Sequence, residues 1–364
     1  GGAAARANAE ERAVRGPILG RPRDGSGKME LVRSWLGVPA DGAVETLSVM
    51  CAHCNAKLTP TQLDYDCVRA RLPDELNRAF APLERDDATN AFLMRSSRRP
   101  YVVNWGASVA CSYLRKRMSL TDANAILGRG KMHVLSRAHV EDLLGRKRAS
   151  NGGGGGDAGC GGGGGGGGVL LDVGAGEGEV TEKLRDGGCF DAVVATEVSP
   201  PMVKRLKDKR FDCVIGAADV SGVFDAARNE NVKRLSPDGF DAIALLNVLD
   251  RCDTPFTLLS QLRGMLRPGV GRLLLAVVIP FRPFVEDGNS NRPPRERLPL
   301  PSDGGWEDGV SKLWSLVLKP AGFKIERLAR VPYISEGDQK HGAYVLDDAI
   351  FVLSPASGDD DDAS

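Results

Sequence analysis

Glycine and acidic residues that could bind a ligand are concentrated in the stretch VLLDVGAGEGEV, residues 169–180. Asp172 lies in an apolar run, and Gly174 and Gly176 follow where that run must turn. A short apolar run that ends in glycines is typical of a buried strand followed by a sharp turn. Although an almost pure glycine tract precedes it, the stretch therefore predicts a binding turn and not the end of a linker.

The spacing of the glycines indicates whether the ligand of the turn contains a phosphate group. Gly174, Gly176 and Gly178 form Gly-x-Gly-x-Gly, whereas Gly-x-Gly-x-x-Gly is the pattern that binds a dinucleotide pyrophosphate. Glu177 and Glu179 would also place negative charge beside a phosphate. We therefore expect a ligand without a phosphate group. The alternative is an NAD-dependent enzyme with an irregular motif.

Two further acidic residues could form hydrogen bonds with a nucleoside. Glu197 ends the apolar run AVVATE, where a carboxylate can accept hydrogen bonds from both ribose hydroxyls. Asp219, in IGAADV after the next apolar run, could meet an adenine amino group. A nucleoside without phosphate beside an acidic turn predicts S-adenosylmethionine as the cofactor. The predicted cofactor-binding residues are Asp172, Gly174, Gly176, Glu197 and Asp219.

The segments that must position these residues alternate between strand and helix. The predicted strands are VLLDV, AVVATEV, FDCVIG, FDAIALLNVL and GRLLLAVVIP, with helical patterns between them. This alternation predicts an α/β fold with a parallel sheet, which binds ligands at the carboxyl ends of strands where strand order reverses. The last two runs, GFKIERLARVPYI and AYVLDDAIFVLSP, have no helix between them and predict a terminal antiparallel hairpin.

Changes in composition divide the chain into five predicted regions. Residues 1–30 are predicted to be disordered, 31–150 to form an N-terminal helical extension, and 151–168 to be a glycine-rich low-complexity insertion. Residues 169–355 are the predicted catalytic domain, and 356–364 an acidic tail. Ser136, before RAHVEDLL, is the predicted N-cap of a helix in the extension.

Charge and composition exclude several classes of protein. The chain has 48 basic and 48 acidic residues, so no net charge draws it to nucleic acid. No apolar run is long enough to span a membrane. The eight cysteines lack a regular spacing and suit a reducing compartment. We expect an intracellular monomer, cytoplasmic or associated with an organelle such as the endoplasmic reticulum or mitochondrion.

Several motifs resemble those of one methyltransferase family. They are LLDVGAGEGEVT, ATEVS, LLNVLDRCDTPFTLL, GRLLLAVVIPFRPFVE, AGFKIERLARVPYISEGD and YVLDDAIFVL, with LPDELNRAF and MSLTDANAILGRGKMHVLS upstream. These resemble the DREV-type methyltransferases, identified as protein-L-histidine N-pros-methyltransferases. The resemblance covers about residues 71–354. It implies a seven-stranded class I methyltransferase sheet, Rossmann-like, with a helical extension before it.

The resemblance also implies a substrate and a set of site residues. The substrate would be a protein in which a histidine of a His-x-His motif is methylated on its N-pros (Nδ1) nitrogen. Asp250 would accept the Nε2 proton of that histidine, and Asn247 would bind the substrate ring or backbone. Tyr333 and Tyr344 would line the pocket or donate a hydrogen bond. The glycine insertion, the first 70 residues, and Arg282 and Phe284 depart from the family pattern and leave substrate preference open.

Structural roles are the alternatives for some of these residues. Asp250 could be a charge at the start of a helix for which Asp253 is the better cap. Tyr344 could be a core or edge aromatic on a strand. Asp347 and Asp348 could only end or turn the hairpin.

Histidine and cysteine residues give weaker signals. Cys51, His53 and Cys54 in CAHCNAKL resemble half of a zinc site, but no second pair follows at finger spacing, and we expect no metal. We expect His133 and His139 to be ordinary surface or capping residues and not catalytic residues.

Other functions on the same fold remain as alternatives. A small-molecule or RNA methyltransferase would use the same cofactor half, but an RNA enzyme should carry a basic patch. The loop NRPPRERLP is the one basic candidate, and we expect it to be a solvated lid. A catalytically inactive binding module is the third alternative.

Overall fold

The computed structural model of the protein describes residues 49–59, 62–97, 101–145, 168–186, 190–216, 230–338 and 341–356. The strands in chain order are β1 (Val49–Cys51), β2 (Lys57–Leu58), β3 (Met132–His133), β4 (Val169–Val173), β5 (Ala192–Glu197), β6 (Cys213–Gly216), β7 (Ala242–Leu246), β8 (Arg272–Ile279), β9 (Val285–Asp287), β10 (Ser290–Arg292), β11 (Phe323–Glu336) and β12 (Ala343–Pro355). The helices are α1 (Asp74–Ala79), α2 (Asp87–Ser97), α3 (Tyr101–Leu114), α4 (Leu120–Leu127), α5 (Arg137–Leu144), α6 (Glu179–Asp186), α7 (Pro200–Asp208), α8 (Glu230–Leu235), α9 (Pro255–Met265) and α10 (Trp306–Leu313).

A seven-stranded sheet forms the centre of the fold. Its strand order is β6-β5-β4-β7-β8-β12-β11. The first five strands are parallel, and β12 pairs antiparallel with both β8 and β11, so β12 alone runs in the opposite direction. The apolar runs of β4, β5, β7 and β8 are buried on both faces, as parallel strands covered by helices must be, whereas β6 at the sheet edge is partly exposed. The predicted α/β class, the parallel sheet and the terminal hairpin are therefore confirmed.

Strand order reverses at β4, which lies between β5 and β7. The connection after β4 runs to one side of the sheet, and the chain returns to pair β7 on the other side. The loops after β4 and β7 therefore diverge and leave a crevice at the carboxyl ends of these strands. This crevice contains the predicted binding turn.

Apolar layers cover both faces of the sheet. One face carries Leu171, Ile243 and Leu273, and the other carries Leu170, Val193 and Leu274. Helix α1 adds Leu76 to the first layer and α5 adds Leu143 to the second, so the extension belongs to the same core.

Serine side chains cap the first turns of two helices in the N-terminal extension. Ser119 accepts from the N–H of Asp122 at the start of α4. The Ser136 hydroxyl oxygen accepts from the N–H of His139 at the start of α5, and Nδ1 of the His139 ring accepts from the N–H of Ser136. This reciprocal pair is a capping box, and it confirms the predicted N-cap.

Some elements were not predicted. Strand β1 pairs parallel with Ala343–Val345 of β12, beyond the point where β8 ends, and β2 pairs with β1. The helix α2, the short hairpin of β9 and β10, and α10 with its π-helical continuation Trp314–Leu318 were also missed.

The predicted regional boundaries remain predictions. Residues 1–30 and most of the glycine insertion and acidic tail lie outside the described residues. Gly168, the last residue of the predicted insertion and its one described residue, accepts a hydrogen bond from the N–H of Asp191 and so contacts the core. Within the described part of the chain, no helix has the length and apolar character needed to cross a membrane.

Candidate functional site

The glycine turn after β4 is shaped by close packing on one side and space on the other. At Gly174, φ is +71° and a Cβ would lie 2.6 Å from the Cγ2 of Val248, so a larger residue does not fit. At Gly176, φ is +57°, and among the described residues other than its chain neighbours the only atom within 4 Å of a Cβ would be the Met202 sulfur, at 3.9 Å. The backbone at Gly176 therefore borders open space in which a ligand can approach.

Glu197 is fixed against this turn. One carboxylate oxygen accepts from the N–H of Gly176 at 2.8 Å, and the other accepts from the N–H groups of Val198 and Ser199, each at 2.8 Å. Glu197 is buried, and its neighbour Val198 is exposed. The structure thus brings together three predicted cofactor-binding residues, Gly174, Gly176 and Glu197.

The turn offers few donors to a phosphate. Gly174 and Ala175 donate to the Thr196 carbonyl, Gly176 donates to Glu197, and Gly178 donates to the Ala175 carbonyl. Because these N–H groups are already used, the turn does not resemble a phosphate cradle. This agrees with a ligand that lacks phosphate.

The acidic residues of the turn disfavour a phosphate less strongly than the sequence indicates. Glu177 pairs with Arg205 at 2.9 Å, and Glu179 pairs with Lys131. These cations offset the negative charge of the turn, so the use of its backbone donors is the stronger argument.

Asp172 is buried beneath the turn. Its Oδ2 accepts from the hydroxyl of Thr181 at 2.6 Å, which ties β4 to α6. Burial raises the pKa of Asp172 to about 6, the Thr181 hydrogen bond opposes this shift, and the charge of Glu197 adds to it. Asp219, the fifth predicted cofactor residue, lies outside the described residues, and its contact with adenine stays a prediction.

A second polar cluster lies after β7, next to the glycine turn. Asn247 adopts a left-handed φ of +57°, and its N–H donates to the Ala276 carbonyl at 3.0 Å. Its Nδ2 donates to Oδ2 of Asp348 at 2.7 Å. Asp250 follows in a short 3₁₀ turn, where its Oδ2 pairs with Arg251 Nε at 3.2 Å. Val248, between Asn247 and Asp250, is the residue that packs on Gly174.

Three buried oxygens of this cluster have no hydrogen-bond partner among the described residues. They are Oδ1 of Asn247, Oδ1 of Asp250 and Oδ1 of Asp348. Buried polar atoms are nearly always paired, so these three oxygens need a donor, which a bound water, a proton on a carboxyl group or a ligand can each supply.

Burial also changes how the two acids of the cluster titrate. Burial raises the pKa of Asp250, and the neighbouring Arg251 opposes this shift. Burial raises the pKa of Asp348 well above its usual value, Asn247 opposes the shift, and the charge of Asp250 adds to it. Two buried carboxyl groups that repel one another are typical of functional sites.

The two tyrosines that were predicted to line the pocket, Tyr333 and Tyr344, have different surroundings. Tyr333 pairs with Leu346 of β12, two residues before Asp348, and burial together with the charges of Asp348 and Asp250 raises the pKa of Tyr333. Its hydroxyl donates to the Met132 sulfur. The hydroxyl of Tyr344 donates instead to Asp338 at 2.8 Å, in the loop between β11 and β12.

Asp347 and Asp348 do not turn the hairpin. Both lie within β12, paired with Ile279 and Val278 of β8. The turn alternative for Asp347 and Asp348 is therefore wrong, and Asp348 is the site residue that sequence reasoning missed. The available signal was an acid embedded in an apolar strand, a position where acids are rare unless paired.

The loop after β8 attaches to the same site. The N–H of Phe284 donates to the Asp250 carbonyl at 2.9 Å, and the Arg251 guanidinium lies 3.6 Å from the centre of the Phe284 ring. Arg282 donates to the Ser302 carbonyl at 3.1 Å. Phe284 is therefore part of the wall of the site.

The basic loop of residues 291–299 is held by ion pairs. Arg292 and Arg295 both bind the carboxylate of Asp253, and Glu296 accepts from the N–H of Thr257 at the start of α9. Asp253, which was considered as the cap of α9, therefore does not cap this helix. The N–H of Thr257 in its first turn donates to the carboxylate of Glu296 instead. The loop also presents less free positive charge than its sequence suggests.

The N-terminal extension reaches across the carboxyl edge of the sheet. The hydroxyl of Ser199 donates to Asp122 Oδ1 at 2.6 Å, and the N–H of Thr121 donates to Glu286 at 3.4 Å. Helix α4 thereby contacts both the loop after β5 and the loop after β8. No role for Asp122 was predicted from the sequence. The available signal was that Asp122 lies in MSLTDANAILG, part of one of the motifs that resemble the methyltransferase family.

The histidines of the extension are not surface residues. His133 is buried between Thr89, at 3.2 Å from Nε2, and Lys183, at 3.0 Å from Nδ1. His139 is buried as well and caps α5, so capping is correct for His139 and a surface position is wrong for both. Cys51 and Cys54 are free thiols. Among the described residues, no group of three His, Cys, Asp or Glu side chains could hold a metal.

A family model described as DREV methyltransferase matches residues 65–355, which contain the glycine turn, Glu197 and the acidic cluster. The chain belongs to the DREV methyltransferase family. Its sheet has the strand order and terminal hairpin of the class I methyltransferase fold. The DREV family and this fold make the chain a methyltransferase.

Solved methyltransferase structures are similar at low identity. The Burkholderia thailandensis 1,6-didemethyltoxoflavin-N1-methyltransferase, with 1,6-didemethyltoxoflavin and S-adenosylhomocysteine bound, is 18% identical over 76% of this chain and 93% of that chain, with a TM-score of 0.36. The methyltransferase CalH, complexed with S-adenosylhomocysteine, is 19% identical over 51% of each chain, with a TM-score of 0.30. This chain thus spans about half the length of CalH. A SAM-dependent methyltransferase from Aquifex aeolicus is 18% identical over 51% of this chain and 82% of that chain, with a TM-score of 0.29.

Proposed function

We propose that this DREV family member transfers a methyl group from S-adenosylmethionine to the N-pros nitrogen (Nδ1) of a histidine in a His-x-His motif of a protein substrate. The observation that carries the proposal is the set of unpaired buried acceptors on Asn247, Asp250 and Asp348. A neutral imidazole has one N–H donor and one lone pair, so it can satisfy an acceptor and still attack an electrophile.

The cofactor half fits S-adenosylmethionine. Glu197 can bind the two ribose hydroxyls, since its carboxylate faces the glycine turn and a carboxylate has acceptor capacity beyond its backbone contacts. Exposed Val198 offers an apolar surface for the adenine. The space beside Gly176 admits the ligand backbone. When bound, S-adenosylmethionine supplies a methyl group on a positively charged sulfur.

The acceptor half selects the reacting nitrogen. Asp250 accepts the Nε2 proton of the substrate ring through its unpaired Oδ1, which leaves the lone pair on Nδ1. Asn247 Oδ1 is a second acceptor for the ring or the substrate backbone. Arg251 holds the other oxygen of Asp250 and so fixes the direction of its carboxylate.

The charges of the site favour the reaction. A neutral imidazole becomes positively charged when it is methylated, and the carboxylate of Asp250 stabilises that charge as it develops. The Nε2 proton can then pass to Asp250, whose pKa is raised by burial and which is therefore a better base than an exposed carboxylate. The remaining residues position the ring and exclude water, which is most of what an in-line transfer needs.

The alternatives have less support. The basic loop that could bind RNA uses Arg292 and Arg295 to bind Asp253. An inactive module would leave three buried acceptors unsatisfied without any function, at a cost of about 1–3 kcal/mol each. A small-molecule acceptor with an N–H group would fit the same oxygens and is the second candidate.

The test is methylation of synthetic peptides by the full chain. Peptides containing His-x-His with small neighbours are incubated with S-adenosylmethionine, hydrolysed, and analysed for the two methylhistidine isomers. The matched control replaces the accepting histidine by alanine. N-pros methylhistidine from the first peptide alone supports the proposal. Absence of methylhistidine, in a chain that binds the cofactor by calorimetry, contradicts it.

A further inference from the structure

We propose that Asp348 is a positioning residue that holds the Asn247 amide with its oxygen facing the substrate. This inference rests on the proposed function, because it concerns the acceptor that meets the substrate histidine. Asp348 lies five strand pairings away from the hairpin turn, inside β12, and has no solvent exposure. Nothing else in the described structure of the loop after β7 fixes the side chain of Asn247.

An asparagine side chain can present either its oxygen or its NH₂ group in one direction, because the two groups are nearly equal in size. Asn247 Nδ2 lies 2.7 Å from Asp348 Oδ2. A carboxylate accepts hydrogen bonds and cannot donate them. The hydrogen bond from Asn247 favours the ionised form of Asp348 against the effect of burial on its pKa, and in that form only the orientation with Nδ2 facing Asp348 is allowed. Oδ1 of Asn247 is then left as an unpaired acceptor.

The backbone limits Asn247 further. Its left-handed φ of +57° and the hydrogen bond from its N–H to Ala276 fix the Cα–Cβ bond. Asn and Asp are the residues other than glycine that adopt this conformation most readily. The main remaining freedom is the flip of the amide, and Asp348 removes it.

A purely structural role does not account for Asp348. A buried carboxyl group that only filled the strand would be satisfied by its neighbours, but Oδ1 of Asp348 has no partner among the described residues. Trp306 donates to its backbone carbonyl at 3.4 Å and makes no bond with the carboxylate. The side chain costs desolvation energy that an alanine or valine on this strand would not.

The experiment exchanges the two side chains. In Asp348→Asn, the new amide can either accept from or donate to Asn247, so the orientation is no longer fixed. In Asn247→Asp combined with Asp348→Asn, the new amide at 348 donates to one oxygen of the new carboxylate at 247, and the other oxygen faces the substrate. Both residue types tolerate the backbone at 247. Asn247→Asp alone places two carboxyl groups together and is the third variant.

Peptide affinity is measured by calorimetry in the presence of S-adenosylhomocysteine, together with kcat and KM. We expect Asp348→Asn to weaken peptide binding about tenfold, the size of one hydrogen bond, and the exchanged pair to recover most of that loss. Cofactor affinity and thermal unfolding serve as controls for folding. Unchanged peptide affinity in Asp348→Asn overturns the inference, and so does a loss that the exchange leaves unrecovered in a folded, cofactor-binding variant.

A spectroscopic readout separates this inference from the proposed function. In ¹⁵N-labelled protein, the side-chain amide signals of Asn247 are identified by their loss in Asn247→Asp. We expect a single downfield-shifted pair that moves or broadens in Asp348→Asn, whether or not any peptide is methylated. If the wild-type chain does not methylate the peptide but the signals behave in this way, the proposed substrate is wrong and the positioning role stands. Signals that do not respond to Asp348→Asn contradict the positioning role itself.

Discussion

The backbone N–H of Gly176 donates to the carboxylate of Glu197 over 2.8 Å, so the glycine turn after β4 and the acid that ends β5 form one unit. The same carboxylate accepts from the N–H groups of Val198 and Ser199. Two parts of the cofactor site that are distant in sequence are thus held at a fixed separation before any ligand binds. Such preorganisation lowers the entropic cost of binding.

Replacing Glu197 by alanine tests this unit. The change removes the two hydrogen bonds that we expect with ribose and should weaken S-adenosylmethionine binding by about 2–3 kcal/mol in calorimetry. It also leaves three backbone N–H groups without this acceptor, so stability should fall too. Glu177→Ala is the matched control, because that acid of the same turn pairs with Arg205 and should affect binding much less. Equal affinity in Glu197→Ala would remove Glu197 from the site.

Alanine at the two glycines should separate packing from binding. Gly174→Ala would place a Cβ 2.6 Å from Val248 at a positive φ, so we expect a loss of stability of about 2–4 kcal/mol. Gly176→Ala meets only the Met202 sulfur and should cost about 1–2 kcal/mol through backbone strain. Its methyl group would enter the ligand space, however, and cofactor binding should fall sharply. Urea unfolding and calorimetry measure the two effects, and full affinity in Gly176→Ala would contradict an approach of the ligand at this turn.

The sequence predicts those parts of the fold that depend on local pattern. Apolar runs such as VLLDV and AVVATE can be assigned to buried strands because their composition and length suffice. Their alternation with helices then implies a parallel sheet, and the glycines mark the turn at its carboxyl edge. Ser136 could be assigned as a cap because a cap is also a local feature.

The rest depends on contacts between distant residues. Asp348 reaches Asn247 because β12 pairs with β8 in one particular register, and the sequence does not specify that register. The same holds for β1, which pairs with β12 across nearly the whole chain. Glu296 replaces Asp253 as the partner of the first turn of α9 because a distant loop folds back. Pattern alone carries no information about such partners.

The pH dependence of stability should reveal Asp172. Burial raises its pKa to about 6, so the native state holds this proton more tightly than the unfolded chain, where an aspartate titrates near about 3.9. The stability that this provides is fully present below about pH 4 and is lost as pH rises through about 6. Asp172→Asn does not ionise. Its unfolding free energy relative to wild type should therefore rise by about 1–3 kcal/mol between pH 4 and pH 7.5.

Urea unfolding at the two pH values measures this difference. The same substitution at exposed Asp303 is the control for removing a carboxylate that is not buried. A constant difference for Asp172→Asn would mean that Asp172 is not strongly desolvated.

The glycine tract of residues 152–167 should behave as a spacer. Shortening it to about four residues, with Gly168 retained for its contact with Asp191, should change stability by no more than about 1 kcal/mol because loop-closure entropy varies slowly with length. Turnover should be unchanged. A chain in which alternate glycines of the tract become serine, at full length, controls for composition. Loss of turnover in a folded, shortened chain would show that the tract has a function.

The reacting nitrogen depends on Asp250 in the proposed mechanism. Asp250→Asn keeps the shape of the side chain, and its amide could still offer an oxygen to the substrate ring. It lacks the charge that favours the Nε2-protonated tautomer and stabilises the methylated ring, and it loses the ion pair with Arg251. We expect a fall in peptide methylation of about two orders of magnitude or more, by analogy with carboxylates that orient a catalytic histidine. Cofactor affinity should persist.

Radiolabelled methyl transfer to a His-x-His peptide, with chromatographic separation of the two methylhistidines, measures the effect. Asp338→Asn is a matched control, because that acid binds Tyr344 in the hairpin loop and not the acidic cluster. The chain's own histidines, His53, His133, His139 and His341, never occur as His-x-His, so no automethylation should obscure the signal. Full activity in Asp250→Asn would show that another group selects the tautomer, and a product methylated on Nε2 would reverse the assigned orientation of the ring.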